Sequence, residues 1–193
     1  SVAENSTAVT TVASIIDSTG TGKTYSITGG ADASLFTIDA SSGALSFVSA
    51  PDFENTLDTG ANNVYDVTVQ VSDGVGGVDT QAIAVTVTNV NEAPVITSNG
   101  GGAAATPISI LENSTAVTTV TSTDVDAGAT ATYSISGGVD AAKFNINAST
   151  GELTFKTGPN LEIPADAGTN NVYDVQVQVS DGSLTDTQDI AVT

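Results

Sequence analysis

The strongest constraint on this chain is an internal repeat. The segment Glu4–Val12 recurs as Glu112–Val120, and the same register continues without a gap as far as Gly74 and Gly182. More than half of the paired positions are identical, and one residue is lost from the loop after Gly74. The 193 residues therefore contain two copies of one module. Each copy has about 100 residues, which is a usual size for a single domain.

The two copies differ at their edges. Residues 1–91 are predicted to form domain 1 and residues 92–193 to form domain 2. Val95–Thr97 precedes the second copy and is predicted to be its first strand, whereas the first copy has no counterpart. The second copy stops at Thr193, opposite Thr86 of the first. We expect domain 1 to lack its first strand and domain 2 to lack its last.

Apolar and polar residues alternate within each copy. The clearest stretch runs from Tyr65 to Val71, and shorter ones cover residues 25–27, 36–38, 45–47 and 83–87. This period of two is typical of strands with one buried face, and turn-forming Gly, Ser and Asp residues separate them. No segment has a helical period. About seven short strands in each copy predict an all-β fold of two tandem Greek-key β-sandwich domains.

The composition restricts the chemistry. Three Lys oppose 22 Asp and Glu, giving a net charge of −19, and the chain has no His and no Cys. Nucleic acid and anionic membranes are poor partners, and neither nucleic-acid binding nor membrane insertion is expected, because both partners require a basic surface and no apolar run is long enough to span a bilayer. Metal sites and nucleophile pairs that need imidazole or thiolate are also excluded. The remaining oxygen ligands suit Ca²⁺ or Mg²⁺.

The acidic residues include five short motifs in a fixed order. They are Glu4-Asn5, Asp52-Phe53-Glu54, Asn91-Glu92-Ala93-Pro94, Asp124-Val125-Asp126 and Ser180-Asp181-Gly182. In this order they resemble the motifs of the cadherin repeat, and in particular the bacterial cadherin-like repeats of large surface proteins. The resemblance covers the whole chain. It implies cadherin-like, immunoglobulin-like sandwiches with Ca²⁺ bound between successive domains.

By this resemblance, eight residues bind two or three Ca²⁺ at the interdomain junction. Glu4, Asp52 and Glu54 come from the base of the first module, Asn91 and Glu92 from the linker, and Asp124, Asp126 and Asp181 from the top of the second. The linker, residues 89–94, is one residue shorter than the family pattern and has Glu where Asp is usual.

Electrostatics independently favours a cation at such a junction. Carboxylates about 5 Å apart repel by roughly 3 kcal/mol per pair at an effective dielectric near 20, so the cluster must bind cations or open. The first copy has Ile16-Asp17-Ser18 where the second has Asp124 and Asp126, and Asn160 replaces Asp52 in the second copy. One complete site is therefore expected.

The resemblance implies a calcium-binding tandem module that rigidifies an extracellular adhesin or stalk of a secreted or cell-surface bacterial protein. Its expected partners are calcium and another cadherin-like module. The alternative is calcium-dependent binding of polysaccharide, although the chain has no Trp and eight of its nine aromatic residues lie on apolar strand faces. An enzyme is not expected, because acid-rich loops without basic or aromatic residues offer no grip on a substrate.

Two further loops allow two interpretations. The segments 58–63 and 166–171 share the pattern Asp-x-Gly-x-Asn-Asn. The pattern is compatible with an additional calcium site, but Asp, Gly and Asn also form turns, and we favour turns.

Overall fold

The computed structural model describes residues 1–15, 22–102 and 107–193. The described chain divides into two compact units, Ser1–Val90 and Asn91–Thr193. Strands dominate both, and the helical segments in the described ranges are the short 3-10 helices Ala33–Leu35, Ser98–Gly100 and Ala141–Lys143. None of the helices described is long and apolar enough to cross a membrane. The predicted all-β fold of two tandem sandwiches is confirmed.

Unit 1 has seven described strands. They are β1 (Val2–Ala3), β2 (Ala8–Thr11), β3 (Thr24–Gly29), β4 (Phe36–Ile38), β5 (Ala44–Phe47), β6 (Val64–Ser72) and β7 (Val78–Thr88). One sheet has the order β1-β7-β6-β3 and the other has the order β2-β5-β4. β1 runs parallel to β7, and the remaining pairs are antiparallel. The stretches predicted from alternation all form strands.

Unit 2 repeats this plan. Its described strands are β8 (Val95–Ile96), β9 (Ala116–Thr119), β10 (Ser122–Thr123), β11 (Thr132–Gly137), β12 (Phe144–Ile146), β13 (Glu152–Phe155), β14 (Tyr173–Ser180) and β15 (Thr185–Val192). The sheets have the orders β11-β14-β15 and β12-β13-β9, and β8 pairs with β10. A parallel bridge between Ile108 and Val192 corresponds to the β1–β7 pairing of unit 1.

The two cores use the same aromatic cluster. In unit 1, Phe36 stacks on Phe47 with ring centroids 4.5 Å apart, and Tyr65 meets Phe47 edge to face at 5.1 Å. Phe144, Phe155 and Tyr173 repeat the cluster in unit 2, at 4.3 and 5.1 Å. Each cluster combines side chains from both sheets of its unit, so these rings join the two layers.

A glycine after β3 lets the chain pass close over β6. Gly30 has a φ of +107°, and a Cβ there would lie 2.3 Å from the carbonyl oxygen of Asp66 and 2.5 Å from Cα of Val67. Gly138 repeats this approach in unit 2, with a φ of +99° and contacts of 2.5 Å to the backbone of Asp174 and Val175. Both positions therefore exclude side chains sterically.

We expect Gly30→Ala to lower the free energy of unfolding of unit 1 by about 3 kcal/mol, because a backbone-to-backbone clash is added to an unfavourable φ. The matched control is Gly76→Ala, where φ is +112° but no atom lies within 4 Å of the added Cβ. Only the conformational cost of about 1–2 kcal/mol applies there. Urea denaturation followed by Tyr fluorescence measures both, and equal losses would show that the close approach is unimportant.

Candidate metal centre

Glu4 is the most constrained acid of unit 1. Its side chain is 3% exposed. The backbone N–H of Phe53 donates to Oε2 at 2.7 Å, and the N–H of Val90 donates to Oε1 at 2.7 Å. The carboxylate is therefore fixed between the loop after β5 and the last residue of the unit. Sequence reasoning predicted Glu4 as a ligand but not these two bonds.

Asp52 and Glu54 converge on Glu4. One ligand oxygen from each of the three carboxylates lies within 4.8 Å of the other two. Asn55 donates its N–H to Oδ1 of Asp52 at 2.8 Å, and the side-chain amide of Asn89 donates to Oε1 of Glu54 at 2.9 Å. At this separation each pair of negative charges repels by between about 1 and 3 kcal/mol, depending on the local dielectric. The arrangement suits a hard cation.

Asp124 and Asp126 lie together in the loop after β10 of unit 2. The N–H of Asp126 donates to Oδ1 of Asp124 at 3.0 Å, and the N–H of Glu92 donates to Oδ2 of Asp126 at 2.8 Å. Oδ2 of Asp124 is buried and has no hydrogen-bond partner in the described part of the chain. A buried, unpaired carboxylate oxygen is costly unless a cation binds it.

Asp181 follows β14 and is tied to the start of unit 2. The side-chain amide of Asn91 donates to Oδ2 at 2.7 Å, and the N–H groups of Ser183 and Leu184 donate to Oδ1 at 2.6 and 2.7 Å. The bond from Asn91, followed by those from Leu184 and Ser183, holds the pKa of Asp181 below its ordinary value. Because Asn91 donates through nitrogen, its Oδ1 remains available as a ligand.

The positions of unit 2 that correspond to Glu4, Asp52 and Glu54 hold fewer acids. Glu112, at the position of Glu4, is exposed and accepts one backbone bond, from Leu161 at 3.1 Å. Asn160, at the position of Asp52, uses Oδ1 to accept two backbone N–H groups. Within the described ranges, no three-acid group forms among these equivalents. Ile16, Asp17 and Ser18, where the first copy was expected to have too few acids, lie outside the described residues.

Sequence reasoning missed Asn89. Its amide orients Glu54, and the spacing Asn89-x-Asn91 was the available signal. The backbone donors of Phe53 and Val90 carry no sequence signal, because any residue but Pro supplies an N–H.

The two Asp-x-Gly-x-Asn-Asn loops form turns. Asp58 is buried and accepts bonds from the hydroxyl of Thr56 and from the N–H groups of Asn62 and Asn63, the latter two at 3.1 and 3.0 Å. Burial alone would raise the pKa of Asp58, but these bonds outweigh it and hold the pKa below the ordinary value of 3.8. Asp166 is bonded in the same way by residues 170 and 171, and its pKa is also lowered. These carboxylates therefore stabilise the turns through hydrogen bonds.

We expect both units to lose stability in acid through these turns. A carboxylate whose pKa is lower in the folded than in the unfolded state stabilises the fold fully above the unfolded value, and this contribution disappears as the pH falls through the folded value. The window therefore lies below the ordinary pKa of 3.8. Urea denaturation at pH 7 and at about pH 3, in chelator, measures the loss. Asp166→Asn should lower the stability of unit 2 at pH 7 and narrow the difference between the two pH values, whereas an unchanged difference would contradict this role.

Comparison with solved structures identifies the fold. Drosophila N-cadherin EC1-4 matches with a TM-score of 0.61 and 16% identity, over 92% of this chain and 43% of that structure. Human CDH23 EC21-23 matches with 0.55 and 19% identity, over 95% and 66%, and human protocadherin-24 EC1-2 with 0.54 and 20%, over 92% and 84%. This chain thus spans less than two thirds of the first two structures. No protein-family profile matches the sequence, and no curated protein matches it significantly. The chain has the cadherin-repeat fold.

Proposed function

We propose that the chain is a calcium-binding tandem module of an extracellular adhesive or stalk protein, with a structural and not a catalytic role. The observation that carries the proposal is the convergence of Glu4, Asp52 and Glu54 beside Val90, the last residue of unit 1. The next residues along the chain, Asn91 and Glu92, are hydrogen-bonded to the acids of unit 2.

The donor set fits calcium. It consists of carboxylate and amide oxygens, which are the ligands that Ca²⁺ prefers, and it lacks the nitrogen and sulfur ligands of zinc. The buried and unpaired Oδ2 of Asp124 is the kind of atom for which a bound cation supplies the missing partner. Glu4, Asp52 and Glu54 would bind from unit 1, and Asn91, Glu92, Asp124, Asp126 and Asp181 would bind from unit 2.

The mechanism is a restriction of the connection between the units. Without a cation, mutual repulsion favours separation of the acids at the end of unit 1 from those at the start of unit 2. When bound, calcium supplies positive charge that both sets of oxygens share. The carboxylate of Glu4 accepts the backbone N–H of Val90, and the carboxylate of Asp126 accepts the backbone N–H of Glu92. Ligation of a cation by both Glu4 and Asp126 would therefore limit rotation about residues 90 and 91. The proposed result is a stiffer segment.

The proposed extracellular location agrees with this chemistry. Calcium sites of extracellular modules have dissociation constants of about 10⁻⁴–10⁻³ M, so they fill only where calcium is abundant. We propose calcium and another module of the same fold as the partners, and a secreted or surface-exposed parent protein.

We expect Asp126→Asn to weaken calcium binding about tenfold while both sandwiches remain folded, because the change removes a ligand charge and keeps an acceptor for the N–H of Glu92. Calorimetric titration measures affinity, and X-ray scattering with calcium measures stiffness. The matched control, Asp174→Asn, removes one charge from an exposed site on β14 and should change neither. Identical titrations and scattering profiles for Asp126→Asn and the parent would remove Asp126 from the site.

A second prediction compares the same substitution at matching positions of the two copies. Glu4→Gln should weaken calcium binding about tenfold, whereas Glu112→Gln, at the matching position of unit 2, should have little effect because Glu112 lies outside the proposed site. Thermal melts in chelator verify that both variants fold. Equal effects of the two substitutions on calcium affinity would contradict the proposed ligand set.

A further inference from the structure

Two of the three lysines in the chain are neighbours. Lys143 ends the 3-10 helix before β12, Lys156 follows β13, and the backbone N–H of Lys156 donates to the carbonyl of Lys143 at 2.8 Å. The amine of Lys156 donates to the carbonyl of Ala142 at 2.7 Å. Neither amine forms an ion pair with a carboxylate of the described residues, although the chain has 22 acids.

These lysines border a cavity of about 340 Å³ in unit 2. Its lining includes the two lysines, Ile163 and the buried rings of Phe155 and Tyr173. Thr157 and Asn160 also line it. Asn160 uses its Oδ1 to accept backbone bonds, which leaves its amide N–H groups as donors.

Unit 1 has a cavity at the corresponding place, but it differs in size and charge. That cavity measures about 140 Å³. It is lined by Leu35, Val48 and Leu57, where unit 2 has Lys143, Lys156 and Ala165. The scaffold is the same, so the two amines and the larger volume are specific to the second copy.

We propose that this cavity of unit 2 binds a hexuronic acid residue. The carboxylate accepts bonds from both lysine amines, the hydroxyl groups meet Thr157 and Asn160, and the apolar ring face lies on the floor of the cavity. The volume is near the lower limit for ligand pockets and holds a ligand of one ring. Among the described residues, the lining contains two amines and no carboxylate, and acids more than about 8 Å away are largely screened in physiological salt.

The inference is tested by titrating the full chain with galacturonate, with galactose and with pentaglutamate in about 0.15 M salt, following amide chemical shifts by NMR. Galacturonate should saturate with shifts centred on residues 142–165, equally with calcium and with chelator. Galactose should bind at least tenfold more weakly, because it lacks the carboxylate. The absence of saturation by galacturonate at about 10 mM, equal binding of galactose, or tighter binding of pentaglutamate would overturn the assignment.

The decisive variant carries Lys143→Leu with Lys156→Val, the residues that unit 1 has at these positions. It should fold normally, because unit 1 folds with the same pair, and it should weaken galacturonate binding about tenfold or more. Two single variants, which each remove one positive charge, are compared with each other: Lys143→Leu should reduce binding and Lys23→Gln should not. Unchanged binding in the double variant would refute the site. Calcium affinity, measured on the same samples, tests the proposed calcium site independently of the cavity.

Discussion

In the described part of the chain, carboxylates are stabilised by backbone N–H groups rather than by cationic side chains, and the rest of the structure depends on this constraint. With 22 acids and three lysines, ion pairs cannot compensate the charge. Asp32 shows the alternative, because it is 3% exposed and accepts bonds from the backbone and hydroxyl of Thr59 and from the backbone of Asp66. Burial would raise the pKa of Asp32, but these bonds outweigh it and lower the pKa. Such carboxylates stay charged and connect loops to strands.

Asp124 differs from Asp32 and Asp58 in how many of its carboxylate oxygens accept hydrogen bonds. Both oxygens of Asp32 and both oxygens of Asp58 accept hydrogen bonds from nearby loops and strands. In contrast, Asp124 accepts one backbone bond through Oδ1, and its buried Oδ2 has no partner in the described ranges. Backbone donors therefore orient Asp124 without saturating it. Saturation therefore distinguishes Asp124 from Asp32 and Asp58. It does not distinguish every candidate ligand, because both oxygens of Glu4 and both oxygens of Asp181 also accept hydrogen bonds.

Most of the fold could be predicted from the sequence because its determinants are local. The alternation of apolar and polar residues from Tyr65 to Val71 predicts β6, and the repeat predicts a matching strand in the other copy. The convergence of Glu4 with Asp52 and Glu54 could be expected only from family resemblance, since Asp52 lies 48 positions after Glu4 in the sequence. The bonds that fix Glu4 could not be predicted at all, because they come from the backbone of Phe53 and Val90. Gly30 likewise appears as an ordinary turn residue until the chain is seen crossing β6.

The two copies show how one scaffold acquires different surfaces. The aromatic clusters and the close approach of Gly30 and Gly138 are retained, because each joins layers that would otherwise separate. Around these invariant parts, the exposed Asp52 is matched by the half-buried Asn160, and the half-buried Leu35 is matched by the half-buried Lys143. Loop side chains at the base of each sandwich change without altering the core on which they stand. A tandem of such modules can therefore change acids in one copy and border a cavity with lysines in the other with little cost to folding.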